Sequence, residues 1–101
     1  MTRVTTHVLD TAAGLGASGV SVTLLECDQH GSWQPLGSGQ TDVDGRLTTL
    51  PPAGNGLHRL QFETLSGFFP EVTVTFRVDG EDHLHLPLLL SPFGYTTYRG
   101  S

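Results

Sequence analysis

Histidine is the side chain whose unperturbed pKa, ~6.5, allows proton acceptance near neutral pH. The chain carries five of them in 101 residues. Two stand in the run His83-Leu84-His85-Leu86-Pro87-Leu88-Leu89-Leu90, which alternates as a strand does. Residues two apart on a strand share a face, so His83 and His85 point the same way and Leu84 and Leu86 point into the core. The histidine face is therefore not needed for packing. His7 lies in Thr5-Thr6-His7-Val8-Leu9-Asp10, where Val4 and Val8 take the opposite face. His30 falls in a turn and His58 lies between polar neighbours in a strand; both read as solvent-facing. A His-x-His pair with a distant third histidine could also bind zinc with one position open. At this point acid–base chemistry and a His7, His83, His85 metal site both stand, because any His-x-His in a strand meets that spacing.

Arg46 follows the turn Thr41-Asp42-Val43-Asp44-Gly45. Its guanidinium is permanently charged and presents a planar fork of donors; the plainer reading is a solvated arginine at a strand start. Asp42-Val43-Asp44-Gly45 is a fragment of a calcium loop, but the distal ligands of a complete loop are missing and Leu47 to Pro51 stand in their place. The chain ends in Ser91-Pro92-Phe93-Gly94-Tyr95-Thr96-Thr97-Tyr98-Arg99-Gly100-Ser101. Chain ends fray unless something ties them down, and a tail this rich in aromatics reads as docked. It is expected to share a pocket with one of the histidines. No nucleophile elbow, phosphate loop or carboxylate pair is present.

The positioning elements are short. Strands are read at Arg3 to Asp10, Val20 to Leu25, Trp33 to Gln40, Leu47 to Leu50, Leu57 to Phe62, Glu71 to Val78, His83 to Leu90 and Tyr95 to Arg99. Pro35 marks its strand as an edge. Val72, Val74, Phe76 and Val78 alternate with Glu71, Thr73, Thr75 and Arg77, the cleanest amphipathic strand in the chain. Asp44-Gly45 supplies the positive φ of a tight turn. Glu63 to Pro70 reads as a connection with room for one helical turn. Short strands separated by turns, without a long helix, indicate an antiparallel β-sandwich.

Composition narrows the function. The formal net charge is −5, with ten acids, five arginines and no lysine. No basic stripe exists, so nucleic acid is not an expected partner. No apolar run approaches the ~20 residues of a membrane helix, and no charged-then-apolar leader opens the chain. Cys27 is the single cysteine, so no internal disulfide or cysteine-based metal site can form. It is expected to be a buried, inert thiol in a cytoplasmic protein. Residues 1–101 read as one domain.

Three segments resemble a known family. Thr5-Thr6-His7-Val8-Leu9-Asp10 is similar to the opening strand of the transthyretin-like family in its 5-hydroxyisourate-hydrolysing branch. Asp44-Gly45-Arg46 is similar to that branch's arginine-bearing turn. His85 to Tyr95, running into Tyr98-Arg99-Gly100-Ser101, is similar to its last strands and its terminal tetrapeptide. Hormone-carrying transthyretins share the fold but lack that ending and the full histidine set. The resemblance covers essentially the whole chain. The stretch Glu63 to Phe68 is shorter than is usual in the family, which implies a short or absent helix.

The resemblance implies two four-stranded sheets and a homotetramer whose active sites open at the dimer–dimer interface. It implies hydrolysis of 5-hydroxyisourate to 2-oxo-4-hydroxy-4-carboxy-5-ureidoimidazoline in urate degradation, without metal or cofactor. The implied catalytic residues are His7, Arg46 and His85; the implied substrate-binding residues are His7, Arg46, Tyr98 and Ser101. Three other readings compete. A transthyretin-like carrier would bind without turnover. A zinc hydrolase would use His7, His83 and His85. A structural adhesin domain would be a monomer with no pocket.

Overall fold

The computed structural model describes residues 1–64 and 67–100. They form nine strands: β1 (Arg3–Asp10), β2 (Leu15–Gly16), β3 (Ser21–Cys27), β4 (Trp33–Gln40), β5 (Arg46–Leu47), β6 (Gly56–Glu63), β7 (Glu71–Val78), β8 (His83–Ser91) and β9 (Gly94–Thr97). The described residues contain no helix. The helical turn considered within Glu63 to Pro70 falls partly on Leu65 and Ser66, outside the described residues.

The strands make the two layers of a sandwich. One sheet runs β4-β3-β6-β7; the other runs β2-β1-β8-β9, with β5 also paired to β1. The second sheet thus exceeds the expected four strands by the two-residue β5. One pair also departs from antiparallel order: β1 and β8 run parallel from Arg3↔His83 to Asp10↔Leu90. Parallel neighbours need a long crossover between them, and here the whole opposite sheet supplies it. β4 is an edge strand, as Pro35 indicates, and its pairing with β3 shifts register between Leu24 and Leu25.

The core lies between the inner faces. Val4, Val8, Leu84, Leu86 and Leu88 come from one sheet; Val22, Leu24, Leu60, Phe62, Val72 and Val78 come from the other. Each fully buried side chain of this size contributes about 1.5–3 kcal/mol. The same alternation puts His58 on the inner face, with Leu60 and Phe62, where it is only 2 % exposed. This corrects the solvent-facing expectation: its chain neighbours Leu57 and Arg59 belong to the other face of β6. Cys27 is half-buried rather than buried, because it ends β3 beside the Asp28–Ser32 turn.

Candidate active site

The outer face of the β1–β8 sheet is built by register. On β1 the outward residues are Arg3, Thr5 and His7, since Val4, Thr6 and Val8 are the fully buried set. Across the ladders, Arg3 pairs with His83, Thr5 with His85, and His7 with Arg46 of β5. Three strands far apart in sequence therefore bring three imidazoles and two guanidiniums onto one face. A cavity of about 210 Å³ opens there, with Arg3, Thr5, Arg46, Thr48, His83 and His85 in its wall. His7 stands outside that wall, beside Arg46 on the ladder.

The turn before β5 fixes Arg46 and orients His7. Asp42 Oδ1 accepts the backbone N–H groups of Asp44 (2.9 Å) and Arg46 (3.0 Å). The Arg46 amide is the main reason the Asp42 carboxyl sits below its ordinary pKa. Gly45 has φ +81°, and a Cβ there would lie 2.3 Å from the Val8 carbonyl oxygen. Only glycine allows the turn to press this closely on β1. The result is that the Asp44 carbonyl lies 2.8 Å from His7 Nε2. A carbonyl only accepts, so His7 carries its proton on Nε2 and offers Nδ1 as the lone pair.

Thr5 organises the other two rings. Its hydroxyl lies 2.7 Å from His83 Nε2 and 2.8 Å from His85 Nδ1. The ring centroids are 6.3 Å apart. Thr5 is 4 % exposed, His85 half-buried and His83 exposed. The His85 pKa lies below its ordinary value, first because burial disfavours the imidazolium, then through the charges of His83, His7 and Arg46. Those causes favour a neutral, proton-accepting His85. Thr5 was not among the residues singled out from sequence. The available signal was its period-2 spacing from His7, which puts its hydroxyl on the histidine face.

The tail docks through Gly100, whose N–H donates to the His85 carbonyl at 2.7 Å. A Cβ on Gly100 would lie 2.8 Å from His85 Cδ2, so the backbone lies against the imidazole edge. Tyr98 lies elsewhere. With Arg99 it lines a second groove of about 240 Å³ beside Val74, Phe76, Leu84 and Leu86. Its side chain is 54 % exposed. Arg99 approaches Glu81 at 3.9 Å, an exposed pair of little energetic weight. Ser101 lies outside the described residues. Among the described residues no three of His, Cys, Asp and Glu converge as a metal site.

The HIUase/Transthyretin family model matches residues 4–100. The chain belongs to that family. As a family member it is 43% identical to the 5-hydroxyisourate hydrolase of Salmonella typhimurium, over 94% of this chain and 78% of that one. Its fold superposes on the Klebsiella pneumoniae 5-hydroxyisourate hydrolase structure with TM-score 0.85 and 34% identity, covering 100% of both chains. It also superposes on sea bream transthyretin in complex with thyroxine, with TM-score 0.90 and 28% identity, over 97% of this chain and 94% of that one. Backbone shape does not separate the hydrolase from the carrier within this family; the side chains on the β1–β8 face must.

Proposed function

We propose that this chain hydrolyses 5-hydroxyisourate to 2-oxo-4-hydroxy-4-carboxy-5-ureidoimidazoline, a step of urate degradation. The observation that carries the reading is the shared outer face on which the ladders set Arg46 beside His7 and hold His85 within their electrostatic reach. A carrier needs no such face. A planar ring dense in carbonyl and N–H groups does, and so does the addition of water to one of its carbonyls.

The chemistry follows from the groups present. Water must lose a proton as its oxygen bonds to the ring carbonyl carbon. His7 Nδ1, whose ring donates through Nε2, and the partly desolvated His85 are the nitrogens placed to accept it. Negative charge grows on the carbonyl oxygen, where the Arg46 guanidinium stabilises it and holds the ring. The ring C–N bond then breaks and the departing nitrogen takes a proton from an imidazolium. Every proton is handled by groups this chain owns. Tyr98 and Ser101 complete the substrate-binding set in a homotetramer, where subunit pairing encloses a face that is open in the single protomer. A cytoplasmic setting suits the single unpaired thiol; no helix among the described residues is long and apolar enough to cross a membrane.

The test uses 5-hydroxyisourate freshly generated from urate, with its absorbance decay followed with and without protein. Faster decay that survives a chelator supports the reading. Unchanged decay with retained ligand affinity would favour a carrier, and decay abolished by chelator would favour a zinc hydrolase.

A further inference from the structure

We propose that Thr5 and His83 are positioning residues for His85: the Thr5 hydroxyl, held between the two rings, commits His85 to the tautomer with a bare Nε2 and links it to an exposed proton outlet. The inference rests on the hydrolase reading and deepens it by assigning the general base.

The argument is a count of hydrogens. A threonine hydroxyl has one proton to donate and lone pairs to accept with. It faces two imidazole nitrogens, His83 Nε2 at 2.7 Å and His85 Nδ1 at 2.8 Å. Both bonds are met when one ring donates to Thr5 and Thr5 donates to the other; its two lone pairs also let both rings donate, and His85 then carries its proton on Nδ1. With His85 Nδ1–H donating, Thr5 donates to His83 Nε2. His85 Nε2 then holds the free lone pair, and it has no protein partner among the described residues. In the opposite sense His85 Nε2 carries the proton and cannot act as a base. A protonated His83 can only donate, so Thr5 can no longer donate to it and the outlet is closed.

Burial makes the arrangement specific. Thr5 is 4 % exposed, so water competes poorly for its hydroxyl. The charged and titratable groups facing the two rings are Arg3 and His7 from β1 and Arg46 from β5, with Gly100 closing the far edge. Among the described residues, none of these groups is a carboxylate.

The proton path balances. When water adds to the carbonyl, the C–O bond forms and its proton goes to His85 Nε2. The Nδ1 proton passes to Thr5 as the Thr5 proton passes to His83 Nε2, leaving His83 as the imidazolium at the exposed end. When the ring C–N bond breaks, His85 Nε2–H protonates the leaving nitrogen and the relay runs back. The new carboxylic acid releases one proton to solvent.

Thr5→Val keeps the side chain's shape and removes the hydroxyl; Thr5→Ser keeps the hydroxyl. With 5-hydroxyisourate, Thr5→Val should lose about 10- to 100-fold in kcat with KM within about threefold, on the scale of general acid–base help. Thr5→Ser should stay within about threefold of the parent, which also controls for folding. Independently of turnover, imidazole ¹⁵N shifts should place the His85 proton on Nδ1 in the parent and in Thr5→Ser, and on a tautomer mixture in Thr5→Val. Parent-like kcat in a folded Thr5→Val, or a His85 tautomer indifferent to the hydroxyl, overturns the proposal. If the parent itself fails to accelerate decay, the hydrolase reading fails, and with it the base role; the ¹⁵N shifts alone then decide whether Thr5 sets the tautomer.

Discussion

Arg46 of β5 stands directly opposite His7 of β1, in the register that sets paired Cβ atoms about 4.5–5.5 Å apart. The pairing depends on a strand of two residues, held by the Asp42 turn behind it. Replacing Arg46 with Gln keeps a hydrogen-bonding side chain but removes the charge. We expect kcat/KM to fall about 10²- to 10³-fold, as for loss of one oxyanion donor. The side chain is exposed, so the folding free energy should move by no more than about 0.5 kcal/mol. Steady-state kinetics and a thermal melt check both parts.

The turn makes a prediction of its own. Asp42→Ala removes the acceptor of the Asp44 and Arg46 amides. The Asp44 carbonyl then loses its fixed place against His7 Nε2. A misplacement of about 1 Å at a site can cost as much as ~100-fold, so we expect roughly tenfold or more from kcat. Fold content by circular dichroism should be unchanged. Equal activity in Asp42→Ala would show that β5 keeps its register without the cap.

The His85 pKa gives a pH dependence with a definite sign. Burial and the charges of His83, His7 and Arg46 hold it below 6.5. The neutral base therefore persists below that pH, and the acid limb of kcat/KM should inflect on the acidic side of 6.5. The linked stability runs the same way. Below 6.5 the unfolded chain binds the proton more readily than the native state, so the His85 contribution is present above the unfolded pKa and is lost as pH falls through the folded one. An NMR titration of His85 should move toward 6.5 in His83→Gln, which removes the largest of those charges. No movement would mean that the His83 charge does not contribute to the value.

Gly100 lies where side chains do not fit. Gly100→Ala puts a Cβ 2.8 Å from His85 Cδ2 and 3.2 Å from its carbonyl oxygen. Either the tail lifts or the ring turns, and the ring's turn breaks its bond to Thr5. We expect a loss of about 10- to 100-fold in kcat with little change in melting temperature. Limited proteolysis at the C-terminus separates the two routes, since a lifted tail is cut faster.

Much of this was legible in the chain. Period-2 alternation placed β1, β7 and β8 with the right faces, because those strands are packed on one side only and a slip would expose the core. Pro35 identified an edge. His7, Arg46 and His85 were recoverable as outward residues of strands or turns, but their meeting on one face was not. It depends on the parallel β1–β8 ladder, which spans almost the whole chain. The length of β5 was overread, since Thr48 and Thr49 have strand-like chemistry but no partner strand. Thr5 escaped notice because a threonine in a strand is ordinary until two imidazoles are found on either side of it. The resemblance implied Tyr98 as a substrate-binding residue; in the protomer it lines the groove beside Val74 and Phe76, and Gly100 is the tail residue that touches a histidine.

His58 is the position where reading by neighbours failed and reading by period would have succeeded, and it carries the last prediction. Its ring is packed on the inner face of β6 with Phe76 at 5.9 Å. Nδ1 reaches the Gly56 carbonyl at 3.1 Å, while the buried Nε2 has no partner among the described residues. A buried polar atom without a partner costs about 1–3 kcal/mol, and an exchanged neutral hydrogen bond returns only about 1. His58→Leu removes the polar atom and keeps apolar volume beside Leu60 and Phe62. We expect a net gain of about 1 kcal/mol, raising the melting temperature by about 4–8 °C in a domain of this size. Activity should not change, because His58 belongs to the sheet opposite the β1–β8 face. A melt showing a fall of that size would mean that the ring has a specific structural partner in the folded protein and that its place in the core is not an uncompensated cost.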